Sequence, residues 1–575
     1  MKAHLALALA LALALALALA LFAIVPPTTA QVHTGFEPRE GRRNLAMGLA
    51  GLSDYSTQVP FIDHMRTARA WIGHLPGQWG GRDEAWLREG GYLDDDGWIR
   101  AIPTNLARIG TLILTDLPQG MTSVAGRYHA RWDGSAYPAF RGAARNVRYG
   151  RGRATFEFQP GEGAVLVSVN RGDLRNLTVV HERHLDRFEA GEIFNPDWLA
   201  LIEDAETLRF MTWQHTNNSD VVDWTDRPRL DDYSWSTGGA PLEVMLELAN
   251  LTGAEPWFSL PHRASDDYMR RFAEQVRDAL RPDLRVWAEY SNEVWNWSFT
   301  QAQWAEDRAR ERWEGRESAW VQYYALRASQ MMDIWSQVFA DQPERLIRVL
   351  GVHTGWLGLE GDILDAPLWQ DEDPDNAPPH EHFDAYAVTG YFNADLHVEG
   401  KQPMLDDWLE RSLDAAEDEA DARGLTGDAR DDHIAAHRFD RALDLAGQEL
   451  LDGSVSGDAT NSVDHLLDHT LAHHARVARE HDLAMVMYEG GTHVIVPPER
   501  HDEQALVDFI IALNHSPQMA RAYRRLIAGW NRLTDAPFMA FTDVGLPSVW
   551  GSWGALRHID DDNPRWDTLM EVTAP

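Results

Sequence analysis

Two glutamates follow predicted strands and have neighbours suited to binding a sugar. Glu293 ends a polar tip in which Asn292 offers an amide to a hydroxyl group, and Trp295 offers a flat apolar face for stacking. Glu489 ends a second apolar run, before two glycines that would let a substrate approach closely. Hydrolysis of a glycosidic bond needs one carboxyl group to protonate the leaving oxygen and another to attack the sugar or activate water. The pair therefore predicts that chemistry.

Each glutamate alone has a plainer interpretation. Glu293 could be a solvated loop residue, and Glu489 could open a glycine turn. Their joint occurrence at the ends of two strands is the more informative observation. It leads to the question of which fold would make the two carboxylates face each other.

Strands alternate with helices along most of the chain. The predicted strands span residues 44–53, 209–213, 255–259, 285–290, 346–352, 385–389, 483–487 and 537–541. Repeated strand–helix units imply parallel strands with right-handed crossovers, and eight of them close as an α/β (β/α)8 TIM barrel. Catalytic residues of such a barrel lie at the carboxyl ends of the strands, which places Glu293 on strand four opposite Glu489 on strand seven. A doubly wound open sheet is the alternative, but no Gly-x-Gly-x-x-Gly turn follows the first strand.

Two segments interrupt the barrel pattern. Short alternating runs with turn signals at residues 111–115, 128–132, 154–158, 164–169 and 177–180 predict an inserted β-sandwich domain after the first strand. An acidic stretch at about 403–480 has helical periodicity. The predicted organisation is a signal peptide at 1–30, the first part of the barrel at 31–89, the inserted domain at 90–189 and the remainder of the barrel at 190–575.

The first 30 residues have the composition of a targeting segment. Lys2 precedes a Leu/Ala run that ends in small residues, which is typical of a secretory signal peptide and predicts a secreted or periplasmic protein. An apolar run of about 20 residues could also remain as an uncleaved membrane anchor. If the segment is cleaved, we expect no stable membrane insertion. Because the chain has no cysteine, disulfides do not stabilise it.

The charge balance restricts the partners. The formal net charge is −37, and Lys2 and Lys401 are the only lysines. Such a chain is unsuited to binding nucleic acid or anionic lipid. A solvated acidic surface or adaptation to high salt would both explain the charge. The expected partner is a polysaccharide or oligosaccharide, and the sequence does not indicate an oligomeric state.

The strand order and the two glutamates resemble those of clan A glycoside hydrolases over residues 44–75 and 195–560. Residues 289–296 look like the equivalent run of exported, cellulase-like bacterial barrels. The resemblance implies a retaining double displacement without a cofactor, in which Glu293 is the acid/base and Glu489 the nucleophile. The two inserted segments are not features of the common cellulase barrel, so the identity of the sugar and its linkage stay open.

Other strand ends carry residues that the resemblance assigns to substrate binding. His215 and His262 resemble residues that orient sugars, and Tyr391 resembles an aromatic residue near the nucleophile. Trp550 or Trp553 resembles the aromatic platform beyond strand eight. With Asn292 and Trp295, these residues form the predicted substrate-binding set. Further tryptophans near strand ends are candidates for sugar subsites: Trp224, Trp235, Trp297 and Trp356.

Histidine patterns offer a metal site as an alternative. His380 and His382 have a His-x-His spacing, but they lie in an Asp/Pro-rich loop before strand six. His465, His469 and His473 recur at every fourth residue, which is also typical of a solvated helix face. We therefore predict neither a metal nor a cofactor.

A second class of function is a non-catalytic carbohydrate-binding barrel that keeps the fold and its aromatic residues. Binding alone does not require two facing carboxylates. Glu293 and Glu489 together therefore favour an enzyme.

Overall fold

The computed structural model describes residues 35–575. The predicted signal peptide at residues 1–30 lies outside the described residues. Strands are numbered along the chain: β1 (Arg43–Gly48), β2 (Ile72–His74), β3 (Gly81–Arg82), β4 (Arg108–Ile113), β5 (Gly126–Asp133), β6 (Ala139–Gly142), β7 (Arg145–Gly150), β8 (Arg153–Phe158), β9 (Val165–Val169), β10 (Arg175–His181), β11 (Ala205–Arg209), β12 (Glu255–Leu260), β13 (Val286–Tyr290), β14 (Leu346–Gly351), β15 (Ala385–Phe392), β16 (Ala484–Thr492) and β17 (Phe538–Phe541).

Eight strands form one sheet in the order β16-β15-β14-β13-β12-β11-β1-β17, and every pairing in it is parallel. The two end strands, β16 and β17, approach each other. This is shown by a hydrogen bond of 3.0 Å from the Thr534 hydroxyl, just before β17, to the Met485 carbonyl on β16. The sheet is thus a nearly closed barrel. The predicted (β/α)8 architecture is confirmed.

Helices cover the outside of the barrel and form the acidic segment before β16. Those of seven or more residues are Pro196–Ile202, Leu242–Thr252, Asp266–Ala279, Thr300–Trp313, Ala319–Val338, Leu359–Asp365, Gln402–Ala422, Asp428–His437, Asp440–Asp452, Ala472–Glu480, Gln504–Asn514, Pro517–Leu533 and Pro564–Val572. Shorter ones are Glu84–Glu89, Leu185–Glu189, Pro367–Gln370 and Val463–His465. Between residues 35 and 575, we find no helix with the length and apolar character needed to cross a membrane.

Local sequence explains where individual helices start and which face they bury. Pro196 occupies the first turn of its helix, and the Asn195 side chain accepts a hydrogen bond from the backbone there. In Asp266–Ala279, the buried residues Tyr268, Phe272 and Val276 recur at every fourth position, so one stripe of the helix packs on the barrel.

The insertion after β1 consists of two antiparallel sheets, β10-β5-β8-β7 and β3-β2-β4-β9-β6. Phe140 on β6 and Phe156 on β8 stack between the sheets, with their ring centroids 5.2 Å apart. The five runs predicted as strands overlap β4, β5, β8, β9 and β10, although the run at 111–115 is shifted towards the carboxyl end of β4. Strands β2 and β3 lie before the predicted boundary at residue 90 but belong to one of these two sheets. The exact domain boundaries at 90 and 189 stay a prediction.

The insertion is joined to the start of the barrel through a buried aspartate. Asp63 accepts hydrogen bonds from the amides of Val179 on β10, at 2.8 Å, and of Met65, at 3.1 Å. Burial raises the pKa of Asp63, and the two amides and the nearby Arg66 oppose that shift. This contact fixes the last strand of the insertion against the segment that follows β1.

Candidate active site

A cavity of about 410 Å³ opens at the carboxyl ends of the barrel strands. Its volume lies in the range of small-molecule sites, which is about 300–1,000 Å³. The residues that line it are Met211, Asn217, Asn292, Glu293, Trp295, Asn296, Phe299, His353, Thr354, Gly355, Thr389, Tyr391, Tyr488, Glu489, His493, Phe541 and Trp553. Both glutamates singled out in the sequence are among them.

Glu293 lies just beyond β13 in a tight turn. Its φ is 42° and that of Ser291 is 62°, so both residues occupy the left-handed region, which is costly for residues other than glycine. One carboxylate oxygen of Glu293 accepts a hydrogen bond from the Tyr488 hydroxyl at 2.9 Å, and the other accepts one from the Asn296 amide at 2.9 Å. Neutral donors therefore hold both oxygens.

Glu489 lies within β16 and is buried. Its Oε1 accepts a hydrogen bond of 2.8 Å from the guanidinium of Arg209, and its Oε2 accepts one of 2.9 Å from the Tyr391 hydroxyl. A fixed cation and a neutral donor thus hold this carboxylate. The two glutamates share a cavity but have different electrostatic partners.

A β-bulge brings Tyr488 and Glu489 to the same side of β16. The register with β15 runs from the pair Val388–Met487 directly to the pair Thr389–Glu489, so Tyr488 has no counterpart. Successive residues of a regular strand point to opposite faces, whereas an extra bulged residue allows two neighbours to face one way. One strand therefore supplies both a carboxylate and the hydroxyl that contacts Glu293.

Arg209, the last residue of β11, connects the site to the barrel interior. Its Nη2 donates to Glu289 at 2.8 Å and to the Asn292 side-chain oxygen at 2.9 Å, while Nη1 donates to Glu489. Glu289 also accepts a hydrogen bond of 2.9 Å from the Trp257 indole. The guanidinium thus bridges two buried carboxylates and fixes their positions.

The protonation of this network follows from burial and charge. Burial lowers the pKa of Arg209, but Glu289 and Glu489 raise it by more, so its pKa lies above the ordinary value. Burial raises the pKa of Glu489 to about 7; Arg209 and Tyr391 oppose the shift, whereas Glu293 adds to it. Because Arg209 stays charged, Glu489 is the member of the ion pair that titrates.

The tyrosines and histidines that line the cavity are neutral near pH 7. Burial raises the pKa of Tyr391 and of Tyr488, and the neighbouring carboxylates raise both further. Burial also lowers the pKa of His353 and of His493, although Glu293 opposes both shifts. The tyrosines therefore remain hydroxyl donors and the imidazoles carry no charge.

Most of the predicted site residues meet at the cavity. Those that line it are Glu293, Glu489, Asn292, Tyr391, Trp295 and Trp553. Asn292 uses its oxygen to accept from Arg209 and its amide nitrogen to donate to Asn217 at 3.1 Å. Since both ends of its side chain are engaged, Asn292 also positions the network beside Glu293.

Three predicted substrate-binding residues lie outside the cavity lining. His262 is buried edge-on against Trp304, and its carbonyl accepts a hydrogen bond from Tyr290. His215 lies six residues beyond the end of β11, in a left-handed conformation with φ of 49°. Trp550 is 65% exposed and packs its ring against His501. Their sugar-binding roles stay predictions.

The most connected residue of the site, Arg209, is absent from the sequence-based set. The apolar run predicts a strand at 209–213, whereas β11 spans Ala205–Arg209. Its charged residue Glu206 can lie in a buried strand because Arg39 and Arg42 neutralise it. Arg209 could have been predicted from its position, because it is a charged residue at the carboxyl end of a barrel strand, where Glu293 and Glu489 also lie. The role of Tyr488 could not be predicted for another reason: the alternation of apolar and polar residues does not reveal a β-bulge.

The two glycines after Glu489 serve packing, and their expected role in substrate approach is wrong. A side chain at Gly490 would collide with the sulfur of Met487, and one at Gly491 would collide with the hydroxyl of Tyr523. Neither glycine lines the cavity. They allow β16 to lie close to its neighbours.

An aromatic group lies beside the cavity and is named here the aromatic rim: Trp297, Trp320 and Trp356. Ring centroids are 5.5 Å apart for Trp297 and Trp320, and 6.2 Å apart for Trp320 and Trp356. Trp356 lies 6.3 Å from His353, which lines the cavity. Trp297 and Trp356 are about half exposed, so the rim presents apolar faces to solvent next to the site.

No protein-family model matches the chain, and no curated protein is similar to it in sequence. One similar solved structure is a family 51 alpha-L-arabinofuranosidase from Bifidobacterium longum, with 12% identity and a TM-score of 0.34 over 66% of each chain, just under two thirds. Another similar solved structure is that of the endo-1,4-beta-D-xylanase 10B of Clostridium thermocellum, which contains the CBM22-1 and GH10 modules in complex with xylohexaose. The two chains are 9% identical, with a TM-score of 0.34, and the match covers 90% of this chain and 98% of the xylanase chain. Both are glycoside hydrolases. The assignment of the fold depends on the order of the eight strands in the sheet. That order agrees with the barrel expected from the resemblance to clan A glycoside hydrolases.

Proposed function

We propose that the protein is a retaining glycoside hydrolase that cleaves a β-linked polysaccharide or oligosaccharide. The observation that carries the proposal is the pair of carboxylates, Glu293 after β13 and Glu489 on β16, at one cavity with different partners. A double displacement needs one carboxyl group that exchanges protons and one that attacks carbon. Two carboxylates in unlike environments can divide those roles.

Glu489 is the nucleophile in this mechanism. Arg209 stabilises its negative form through the 2.8 Å ion pair, and Tyr391 orients its second oxygen. Glu293 has only the neutral donors Tyr488 and Asn296, which place no positive charge against a bound proton. It is therefore suited to act as the acid and then as the base.

The reaction has two steps. A carboxylate oxygen of Glu489 bonds to the anomeric carbon while the bond to the leaving oxygen breaks and that oxygen takes the proton of Glu293. Glu293 then removes a proton from water, whose oxygen attacks the anomeric carbon and releases Glu489. Two inversions give net retention.

The sequence and the surface supply the remaining parts of the proposal. The aromatic rim beside the cavity supports a substrate longer than the sugar units that the cavity itself holds. The leader-like composition of residues 1–30 supports export. N-terminal sequencing of protein from the culture medium or periplasm tests export separately from activity.

The roles of the glutamates are tested by replacing each with alanine. Glu489→Ala should abolish turnover of every glycoside, whereas Glu293→Ala should still perform the first step on aryl glycosides whose leaving group needs no proton. Azide should rescue both variants and give glycosyl azides of opposite anomeric configuration. Glu499→Ala, which changes an exposed glutamate shortly after β16, is the control and should match the wild type.

Three results would contradict the proposal. Near-wild-type rates in both alanine variants would remove the two-glutamate assignment, and an inverted anomer in the first-formed product would exclude double displacement. Binding of glycans by the wild type without turnover of any of them would favour the non-catalytic barrel instead.

A further inference from the structure

A second group of ionisable side chains lies at the opposite end of the barrel from the cavity. Asp365 is the last residue of the helix Leu359–Asp365, His380 lies in the short turn Pro379–His382 before β15, and His481 follows the helix Ala472–Glu480 just before β16. Two segments that are close in sequence and a third that follows much later in the chain thus converge where β15 and β16 begin. The proposed glycosidase chemistry uses none of these residues.

The three side chains surround a common point. Asp365 Oδ1 lies 3.6 Å from His380 Nδ1 and 3.8 Å from His481 Nε2, and one ligand atom from each residue lies within 4.8 Å of the others. These separations are too long for hydrogen bonds. Ligand atoms on a tetrahedral zinc ion, with bonds of about 2.0–2.1 Å, lie about 3.4 Å apart. The two distances to Asp365 would need to shorten by a few tenths of an ångström to fit a zinc ion, and the two histidine nitrogens, which are at most 4.8 Å apart, would need to approach the same spacing.

The orientation of His481 supports a metal ligand rather than a loose surface histidine. Its Nδ1 lies 2.9 Å from the Val477 carbonyl oxygen and so carries the proton of the neutral ring. The unprotonated Nε2 then faces Asp365. Metal-binding histidines usually have this outer contact, which fixes the tautomer and the ring orientation. His380 Nδ1 lies 3.1 Å from the Leu364 carbonyl oxygen, so an ion bound at that nitrogen would replace this hydrogen bond and displace its proton.

A neighbouring cluster on the same two helices shows the contrast. His473 Nε2 lies 2.6 Å from a carboxylate oxygen of Glu360. His474 accepts a hydrogen bond of 2.6 Å from the Tyr386 hydroxyl at Nδ1 and donates one of 2.9 Å to the Thr354 carbonyl at Nε2. The carboxylate of this cluster is thus held by a short hydrogen bond to one of its histidines, whereas Asp365 lies beyond hydrogen-bond distance of both His380 and His481.

We infer that Asp365, His380 and His481 bind one zinc ion, with water as the fourth ligand. Two imidazoles and one carboxylate form a ligand set that suits Zn²⁺. The ion would tie the helix Leu359–Asp365 and the turn Pro379–His382 to the end of the helix Ala472–Glu480. Because it lies at the amino ends of the strands, it stabilises the fold and does not act on the substrate.

The test uses the full chain after treatment with a chelator, titrated with zinc chloride and followed by calorimetry. We expect one ion per chain. Loss of an outer contact to a metal ligand weakens binding about 10- to 100-fold, so His481→Ala and Asp365→Asn, which each remove a ligand, should weaken it at least about 100-fold. His382→Ala is the matched control, because His382 completes the His-x-His spacing but instead contacts Asp333 at 3.0 Å. It should bind zinc like the wild type.

A second readout separates a specific site from adventitious binding by other histidines. Zinc should raise the Tm of the wild type and of His382→Ala, and it should leave the Tm of Asp365→Asn unchanged. Asp365 is exposed, so its replacement should not prevent folding. A wild-type Tm that does not respond to zinc, or equal weakening of zinc binding by His382→Ala and His481→Ala, would overturn the inference.

Discussion

The barrel mouth and the inserted sheets both contain short ion pairs, but in different surroundings. Arg209 lies 2.8 Å from Glu289 and 2.8 Å from Glu489, and all three side chains are at most 7% exposed. In the insertion, Arg131 on β5 lies 2.7 Å from Glu189, and both side chains are more than half exposed. Distance alone does not distinguish the two pairs.

Burial makes their energetic roles different. An exposed pair typically contributes about 0–1 kcal/mol, because water screens it and ordering the side chains costs entropy. A buried group of charges loses its hydration, so the network at the mouth is weak evidence for stability. Removing the shared cation, however, would leave two buried carboxylates without compensation. The mouth thus holds charges at a cost in lost hydration, whereas the insertion holds charges where they cost little.

The largest effect is expected from breaking the buried network. Arg209→Met keeps much of the side-chain volume but removes the charge, and it should lower the free energy of unfolding by about 3–5 kcal/mol at neutral pH. Arg209→Lys keeps a charge without the planar fork that reaches both Glu289 and Glu489, and should lose less. Urea unfolding of the three proteins measures the difference. Equal stability of wild type and Arg209→Met would show that the carboxylates do not depend on this cation.

A second prediction concerns pH. Burial raises the pKa of Glu489 to about 7, and Glu489 must be ionised to act as the proposed nucleophile, so kcat/KM should fall below about pH 7. The raised pKa favours the protonated form in the folded protein. Its stabilising contribution is therefore fully present below the unfolded value of about 4.5 and is lost as the pH rises through about 7.

The measurement for this second prediction is the slope of unfolding free energy against pH. Glu489 contributes at most about 1.4 kcal/mol per pH unit between pH 4.5 and 7. Glu489→Gln should remove that contribution. An identical pH profile of stability in the two proteins would contradict the burial argument.

The sequence was sufficient for features that depend on local pattern. Alternation of strands and helices predicts the barrel, and strand ends place Glu293 and Glu489 at one cavity. Their catalytic roles stay predictions. Features that depend on distant partners could not be predicted in this way. Arg209 ends a strand whose polar residue Glu206 is neutralised by arginines about 165 residues earlier in the chain, and Tyr488 reaches the cavity through a bulge.

A third and smaller effect is expected at the tyrosines. Tyr391→Phe removes the hydroxyl that donates to Glu489, a hydrogen bond to a charged group that is worth about 1.5–3 kcal/mol. Because that bond lowers the pKa of Glu489, the acidic limb of kcat/KM should move to higher pH. Tyr488→Phe, which removes the donor to Glu293, is the matched variant. It should leave the acidic limb nearly in place, and equal shifts in both variants would contradict the separate roles of the two glutamates.

Exposed aromatic residues provide a fourth comparison between the two regions. Trp356 at the aromatic rim is 51% exposed, and Trp79 in the insertion is 56% exposed. If the rim binds distant sugar units, Trp356→Ala should raise KM for a polymer by an amount worth about 0.5–1.5 kcal/mol and leave a small aryl glycoside unaffected. Trp79→Ala should change neither. A loss on the small substrate as large as on the polymer would place Trp356 at the reacting sugar instead.

The smallest effect is expected for the exposed ion pair of the insertion, although it is shorter than the two pairs at the barrel mouth. Arg131→Ala removes the 2.7 Å contact with Glu189 in the insertion, yet both side chains are solvated before and after the change. The free energy of unfolding should therefore stay within about 0.5 kcal/mol of the wild type, and added salt should reduce even that difference. Urea unfolding at low and high salt provides the measurement. If Arg131→Ala cost as much as Arg209→Met, burial would not be what separates the two regions, and the charges at the barrel mouth would need another explanation for their placement.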